Sequence, residues 1–228
     1  EEPSTYTYVN NKLKISYDDF YKSLSEKNID NHSQVKYAKS FAFRLSIFIN
    51  NIAKKNKINF LDCGCGFGFV ARELIKLRDD IIFYCDPSNS IKEIHEKVFP
   101  KENFFQSDIE NLININKNFD IIYLREVYPF TRNSDLQNQK KLINILNSKL
   151  NTDGILIFEQ IKNARDLFDN LSKLNISSTV IPLLPLKFSS IKFLNILNFK
   201  SIIFQYFIKL IYKIFRKKVN KFILIYKF

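Results

Sequence analysis

The 228-residue chain reads as an α/β fold: an open, doubly wound, mostly parallel sheet with helices on both faces. Three observations point there. Apolar strand-like runs alternate with helix-periodic segments from residue 57 to 174. Three of the four glycines, Gly64, Gly66 and Gly68, crowd into one turn between the first run and the first helix. Charged residues close the runs at Asp62, Asp86, Asp108 and Arg125, and sheets of this kind bind ligands outside the carboxyl ends of their strands.

Taken in order, residues 1–15 read as an extended or irregular lead-in, and Tyr17 to Leu24 has helical spacing. Ser33 opens a longer helix to about Lys54, with Val35, Ala38, Phe41, Leu45, Phe48 and Ile52 on one face. This helix either packs on the sheet or closes over its end. The first strand spans about 57–62 and its helix about 68–79. The second strand, Ile81 to Cys85, ends at Asp86, and a helix over 88–99 carries His95. Phe104 to Ser107 forms the third strand and Phe119 to Leu124 the fourth, the latter apolar enough for burial on both faces. A helix over 134–150, a turn at Asn151–Gly154 and a fifth strand from Ile155 to Ile161 follow. Another helix covers about 163–174, then an extended segment reaches Leu184, interrupted by Pro182 and Pro185. Lys221 to Phe228 supplies a last strand.

Composition narrows the setting. Heavy use of Lys, Asn, Ile, Phe and Tyr fits an AT-rich genome. That bias does not explain the charge distribution: the net charge is +12, and residues 170–228 hold eleven bases and no Asp or Glu. Cys63, Cys65 and Cys85 are an odd set at strand ends, which argues for reduced thiols and a cytoplasmic setting. A metal site is not expected, since only His32 and His95 could join these thiols. The acidic, polar start lacks a signal-peptide pattern, and no run reaches the ~18 apolar residues of a spanning helix.

The spacing of the glycine turn selects among ligands. The phosphate-cradling G-x-x-x-x-G-K-[ST] pattern is absent, and the dinucleotide fingerprint needs a glycine where Phe69 stands. Asp62-Cys63-Gly64-Cys65-Gly66-Phe67-Gly68 is acid-x-Gly-x-Gly-x-Gly. This resembles the first motif of class I S-adenosylmethionine (SAM)-dependent methyltransferases. The resemblance covers about 57–161. It implies a Rossmann-like doubly wound sheet of about seven strands with the last one antiparallel. It also implies one domain over 1–228: an N-terminal helical cap (1–55), a SAM-binding core (56–174), and a sheet-completing segment with a basic, apolar helical insertion (175–228).

The resemblance assigns expected roles. Asp62, Gly64, Cys65 and Gly66 would flank the methionine part of SAM. Asp86 lies twenty residues after Gly66, where a carboxylate at the second strand end accepts ribose hydroxyls. Asp86-Pro87-Ser88 resembles the family's segment there. Asp108 and Ile109 match the family's adenine contacts. Arg125-Glu126-Val127 resembles the stretch beside the methionine end of SAM and the acceptor, although Arg125 and Glu126 also read as a structural pair. Glu126, His32 and Tyr128 are the candidate catalytic bases.

The acceptor is less constrained. The Asn-Pro-Pro-Tyr-like motif of base amino-methyltransferases is missing; Arg125-Glu126-Val127-Tyr128 stands in its place. The expected acceptor is a hydroxyl on a small or lipid-linked, phosphate-bearing molecule, such as a sugar-nucleotide or surface-glycan precursor. The alternatives are an RNA methyltransferase and a catalytically silent SAM-fold partner subunit. A helix over 201–218 carries Gln205, Lys209, Lys213 and Arg216/Lys217 as a narrow polar ridge on an apolar girth. It reads as a buried helix or homodimer contact, as a cap over substrate, or as a membrane-interface element. In the last case 187–221 would contact anionic lipid on the inner face of the membrane. So many bulky aliphatics between the lysines argue against nucleic acid as the partner.

Overall fold

Apolar runs buried on both faces become parallel strands when helices cover each side, and that is what positions the site here. The computed structural model describes residues 8–9, 12–13, 33–53, 55–98, 103–128, 130–131, 135–160, 164–184, 188, 191–214 and 221–227. The helical reading of Tyr17 to Leu24 and His32 lie outside the described residues. The lead-in contains a short antiparallel pair, β1 (Tyr8–Val9) and β2 (Lys12–Leu13).

The main sheet comprises β3 (Asn59–Cys63), β4 (Ile81–Asp86), β5 (Phe104–Gln106), β6 (Phe119–Arg125), β7 (Leu150–Gln160), β8 (Thr179–Pro182) and β9 (Lys221–Tyr226). Its seven strands lie in the order β5-β4-β3-β6-β7-β9-β8. β9 alone is reversed, antiparallel to both β7 and β8. Strand order changes direction between β3 and β6, and sheets of this kind bind ligands outside the carboxyl ends of the strands at such a point.

Side-chain alternation divides the core between the two faces. On one face α1 (Ser33–Ile52) and α2 (Phe69–Ile75) pack Phe41, Leu45, Phe48, Val70 and Leu74 against Phe60, Tyr84, Tyr123, Ile157 and Phe222. On the other, α4 (Leu136–Ser148) and α5 (Ala164–Lys173) pack Leu142, Leu146 and Leu171 against Phe83, Ile122, Leu124, Phe158 and Ile223. α3 (Asn89–Val98) precedes β5 and carries His95.

Several boundaries differ from the pattern-based reading. α2 stops at Ile75 because Ile75 and Leu77 face solvent, so the apolar stripe has ended. The expected turn at Asn151–Gly154 is a bulge inside β7: Phe119 pairs with Leu150, but Ile121 pairs with Ile155. Asp153 takes φ 64 there, and the Asn151 amide donates to Asp120 Oδ1 at 3.0 Å.

α6 (Lys192–Lys200) was not foreseen. Its apolar residues run almost without a polar face, so periodicity did not mark it. α7 (Ile202–Ile214) follows after a bend of 111° at Ser201, whose Oγ accepts from the Phe204 N–H. α7 is not a buried helix: Ile202, Ile203, Tyr206, Phe207 and Leu210 are exposed. Arg216 and Lys217 lie outside the described residues.

One charged cluster crosses the core. Arg44 of α1 and Glu159 of β7 are both buried and pair at 2.7 Å. The Arg44 guanidinium also donates to the Leu184 carbonyl at 3.1 Å, and the Tyr123 hydroxyl donates to Glu159 Oε2. Burial, then the Glu159 charge, push the Tyr123 phenol well above its ordinary value. Removing one partner strands the other charge in the core. Arg44→Met is therefore expected to cost about 3–5 kcal/mol in urea unfolding, and Arg44→Met with Glu159→Leu to recover most of that loss. A single variant of wild-type stability would show that water solvates Glu159.

Candidate active site

The glycine turn is suspended from the end of β4. The Cys85 carbonyl accepts from the N–H of Gly64 at 2.8 Å and of Cys65 at 3.1 Å. The buried Asp86 carboxylate accepts from the Gly66 N–H through Oδ2 and from the Ser88 N–H through Oδ1, both at 3.0 Å. Gly66 has φ 51 and Gly64 φ 71, conformations that favour glycine. At Gly64 space is equally decisive: an added Cβ would lie 2.8 Å from Val127 Cγ2. Hydrogen bonds and strand register thus gather Asp62, Gly64, Cys65, Gly66 and Asp86 at one end of the sheet.

The three thiols are free among the described residues. A hydrogen bond with Cys85, and then burial, push the Cys63 thiol up, and Cys85 Sγ donates to the Ser107 carbonyl at 3.0 Å. Phe67 and Phe69 pack against Ala38 of α1 and Ile91 of α3. α1 therefore packs on the sheet, and Ala38 brings it against the residues that flank the glycine turn.

Asp108 and Ile109 follow β5, and the Ser107 N–H donates to the Asp86 carbonyl at 3.2 Å, which ties that strand end to the β4 end. Ile109 is buried. Asp108 is exposed, and its Oδ1 accepts from the Asn111 N–H at 2.8 Å, capping the 3-10 turn Glu110–Asn114. The sequence did not foresee this structural duty.

On the other side of β3 stand Arg125 and Glu126. The Arg125 guanidinium lies 4.1 Å from the Phe41 ring centroid, and its buried Nε has no hydrogen-bond partner among the described residues. No ion pair joins Arg125 to Glu126 among the described residues; the acid that feels the Arg125 charge is Asp62. Glu126 has φ 53, a strained conformation for this residue, and its N–H donates to the Glu159 carbonyl at 3.2 Å. Tyr128 is half-buried two residues on.

Sequence reasoning missed Arg44 and Glu159, and it placed Phe41 and Tyr123 only as positions of an apolar face and a strand. Arg44 stands inside the apolar stripe of α1, and Glu159 closes an apolar run. A charge placed where the pattern demands an apolar residue was the available signal.

Asp62 is buried, and desolvation raises its carboxyl to about 7; Arg125 opposes the shift and Asp86 adds to it. The unfolded chain releases this proton near the ordinary value of 3.8. Native stability contributed below that value is therefore lost as pH rises through about 7. Asp62→Asn is expected to raise the unfolding free energy at about pH 8, with the gain fading toward about pH 4. Denaturant titrations at both pH values measure this, and an equal gain at both would show the carboxyl is not perturbed.

The family described as a methyltransferase domain matches residues 33–188. No curated protein sequence matches the chain. Among solved structures, the plantazolicin methyltransferase BpumL in complex with SAH superposes with a TM-score of 0.63 at 15% identity, over 92% of this chain and 91% of that one. The plantazolicin methyltransferase BamL, in complex with a triazolic desmethylPZN analog and SAH, gives 0.56 at 14% identity, over 90% of each chain. These likenesses extend the fold over nearly the whole chain. With the family match spanning the glycine turn and the strand ends at Asp62, Asp86, Asp108 and Arg125, the chain belongs to the methyltransferase-domain family and is a class I SAM-dependent methyltransferase.

Proposed function

We propose that the enzyme methylates a hydroxyl on a small or lipid-linked, phosphate-bearing acceptor, such as a sugar-nucleotide or surface-glycan precursor. The observation that carries this reading is the carboxyl end of β6. There Arg125 and Glu126 follow one another directly across from the glycine turn, with Glu126 held at φ 53.

The donor set fits the cofactor. Buried carboxylates at Asp62 and Asp86 match an ammonium group and ribose hydroxyls, and the turn brings the Gly64–Gly66 backbone within reach of a ligand. Asp86 would orient the ribose, while Asp108 and the Ile109 N–H would meet the adenine. Asp62 would face the methionine amino group. When bound, SAM supplies an electrophilic methyl group on a sulfonium that leaves as a neutral thioether.

The protein's work is then positioning and proton removal. The carboxyl ends of β3 and β6 would hold the acceptor oxygen close to and in line with the methyl group that SAM supplies. Glu126 would take the proton of the acceptor hydroxyl. Glu126 is preferred to Tyr128 because it stands directly after β6, across from the glycine turn. Arg125, whose charge reaches Asp62, would lie beside the methionine end of SAM. An RNA acceptor is less well supported, because the basic C-terminal helices present aromatic and aliphatic side chains outward.

Transfer of labelled methyl from SAM into fractionated extract tests the acceptor class. Label in the lipid, glycan-precursor or sugar-nucleotide fraction supports the reading; label in RNA alone refutes it. Asp86→Ala is expected to lose well over tenfold in S-adenosylhomocysteine affinity by calorimetry. Glu126→Gln should leave that affinity intact and lower kcat by about 10²–10⁴-fold. An undiminished kcat would remove Glu126 from the chemistry.

A further inference from the structure

We propose that α6 and α7 form a docking surface that seats the carboxyl end of the sheet on an anionic membrane. On α7, Ile202, Ile203, Tyr206, Phe207 and Leu210 are between 52 and 78% exposed, and Phe193 of α6 is 70% exposed. At ~100° per residue the five α7 positions form one continuous stripe about 140° wide. The opposite side of α7 is accounted for: Ile208 is buried with Leu184, and Leu194 and Phe204 pack against them. The exposed stripe is therefore a second apolar face with no partner among the described residues. Soluble surfaces rarely leave one contiguous.

Charge selects what covers it. Lys209 and Lys213 stand at one rim of the stripe, with Lys209 Nζ 5.1 Å from the Tyr206 ring centroid, and both are exposed. Lys192 and Lys200 cap the ends of α6 and are exposed as well. No Asp or Glu occurs anywhere from 170 to 228 to neutralise them. A second copy of this chain would bring like charges together. An anionic bilayer offers hydrocarbon to the stripe and phosphates to the lysines that flank it.

The geometry is that of a helix pair lying in the interface. No single described helix is long and apolar enough to cross a membrane, and α6 and α7 meet at 111°. Topology sets the orientation. β8 runs with the parallel strands and β9 against them, so the segment between Pro182 and Lys221 both leaves and re-enters at the carboxyl end of the sheet. Asn198 Nδ2 fixes α6 there by donating to the Pro182 carbonyl at 2.8 Å. The segment that carries the docking face is therefore anchored at the end of the sheet where β6 gives way to Arg125 and Glu126.

Flotation of the whole chain with phosphatidylcholine vesicles, and with vesicles in which phosphatidylglycerol replaces part of that lipid, tests this without any activity readout. The wild type is expected to float with the anionic vesicles, little with the neutral ones, and less as salt rises. Ile203→Glu with Phe207→Glu should weaken partition by at least about tenfold. Lys209→Gln and Lys213→Gln should each weaken it by about fivefold. Unchanged S-adenosylhomocysteine affinity in these variants establishes that they fold. Failure of the wild type to bind anionic vesicles would overturn the proposal, as would wild-type partition by the double glutamate variant. A dimer that the glutamates dissociate, with no vesicle binding, would assign the face to a second copy instead. The acceptor's chemistry does not enter any of these outcomes.

Discussion

The Cys85 carbonyl accepts from two successive amides, Gly64 and Cys65, while the next carboxylate along, Asp86, accepts from Gly66. Through these three bonds the exit of β3 is locked to the exit of β4, and everything at that end of the sheet is placed relative to them. The turn has to fold back sharply to reach β4, which is why its glycines carry positive φ. It also passes so close to Val127 that no side chain fits at Gly64, which brings the segment after β6 against the turn. One small set of backbone bonds thus juxtaposes the exits of β3 and β4 with the segment that follows β6.

Beneath this arrangement lies a floor of buried charge. Arg44, Glu159 and Tyr123 join α1 to β6 and β7, and Phe41 sits between the guanidinium groups of Arg44 and Arg125 at 5.2 and 4.1 Å. Such a cluster adds little net stability over an apolar core of equal volume, but it tolerates few alternative arrangements. Its consequence is positional: the helix that borders the site and the strands that carry Arg125 and Glu126 cannot slide past one another. Asp62, desolvated and near the Arg125 charge, belongs to the same electrostatic environment.

The legible and illegible parts of the molecule separate by physical cause. β3, β4 and β6 were readable because a strand buried on both faces must be a nearly unbroken apolar run ending abruptly, here at Asp62, Asp86 and Arg125. The glycine turn was readable because its spacing has few structural solutions. The β7 bulge was not, since Asn151-Thr152-Asp153-Gly154 is a turn by local preference, and only its place between β6 and β9 keeps it in the sheet. α6 escaped because Phe193, Leu194, Ile196, Leu197 and Phe199 leave no polar face to set a period, while Asn195 and Asn198 are buried. The alliance of Arg44 with Glu159, 115 residues apart in sequence, is a tertiary fact whose one local trace is a charge inside each apolar run, whereas the cap of Asp108 on the Asn111 N–H spans three residues and is local.

The reversed strand carries a consequence for how the polypeptide reaches this state. β9 is the last strand in sequence, yet it lies between β7 and β8 and is the ladder partner through which β8 joins the sheet. During synthesis the helices and strands up to β7 can assemble on local contacts as they emerge from the ribosome. β8 cannot: it waits for Lys221–Tyr226, and until then the edge of β7 offers unpaired amides and carbonyls to any passing extended chain. Closure therefore depends on a strand insertion of long sequence separation, the slowest kind of event in folding a sheet. The nascent protein spends that interval with its stickiest edge uncovered and its greasiest helices already made.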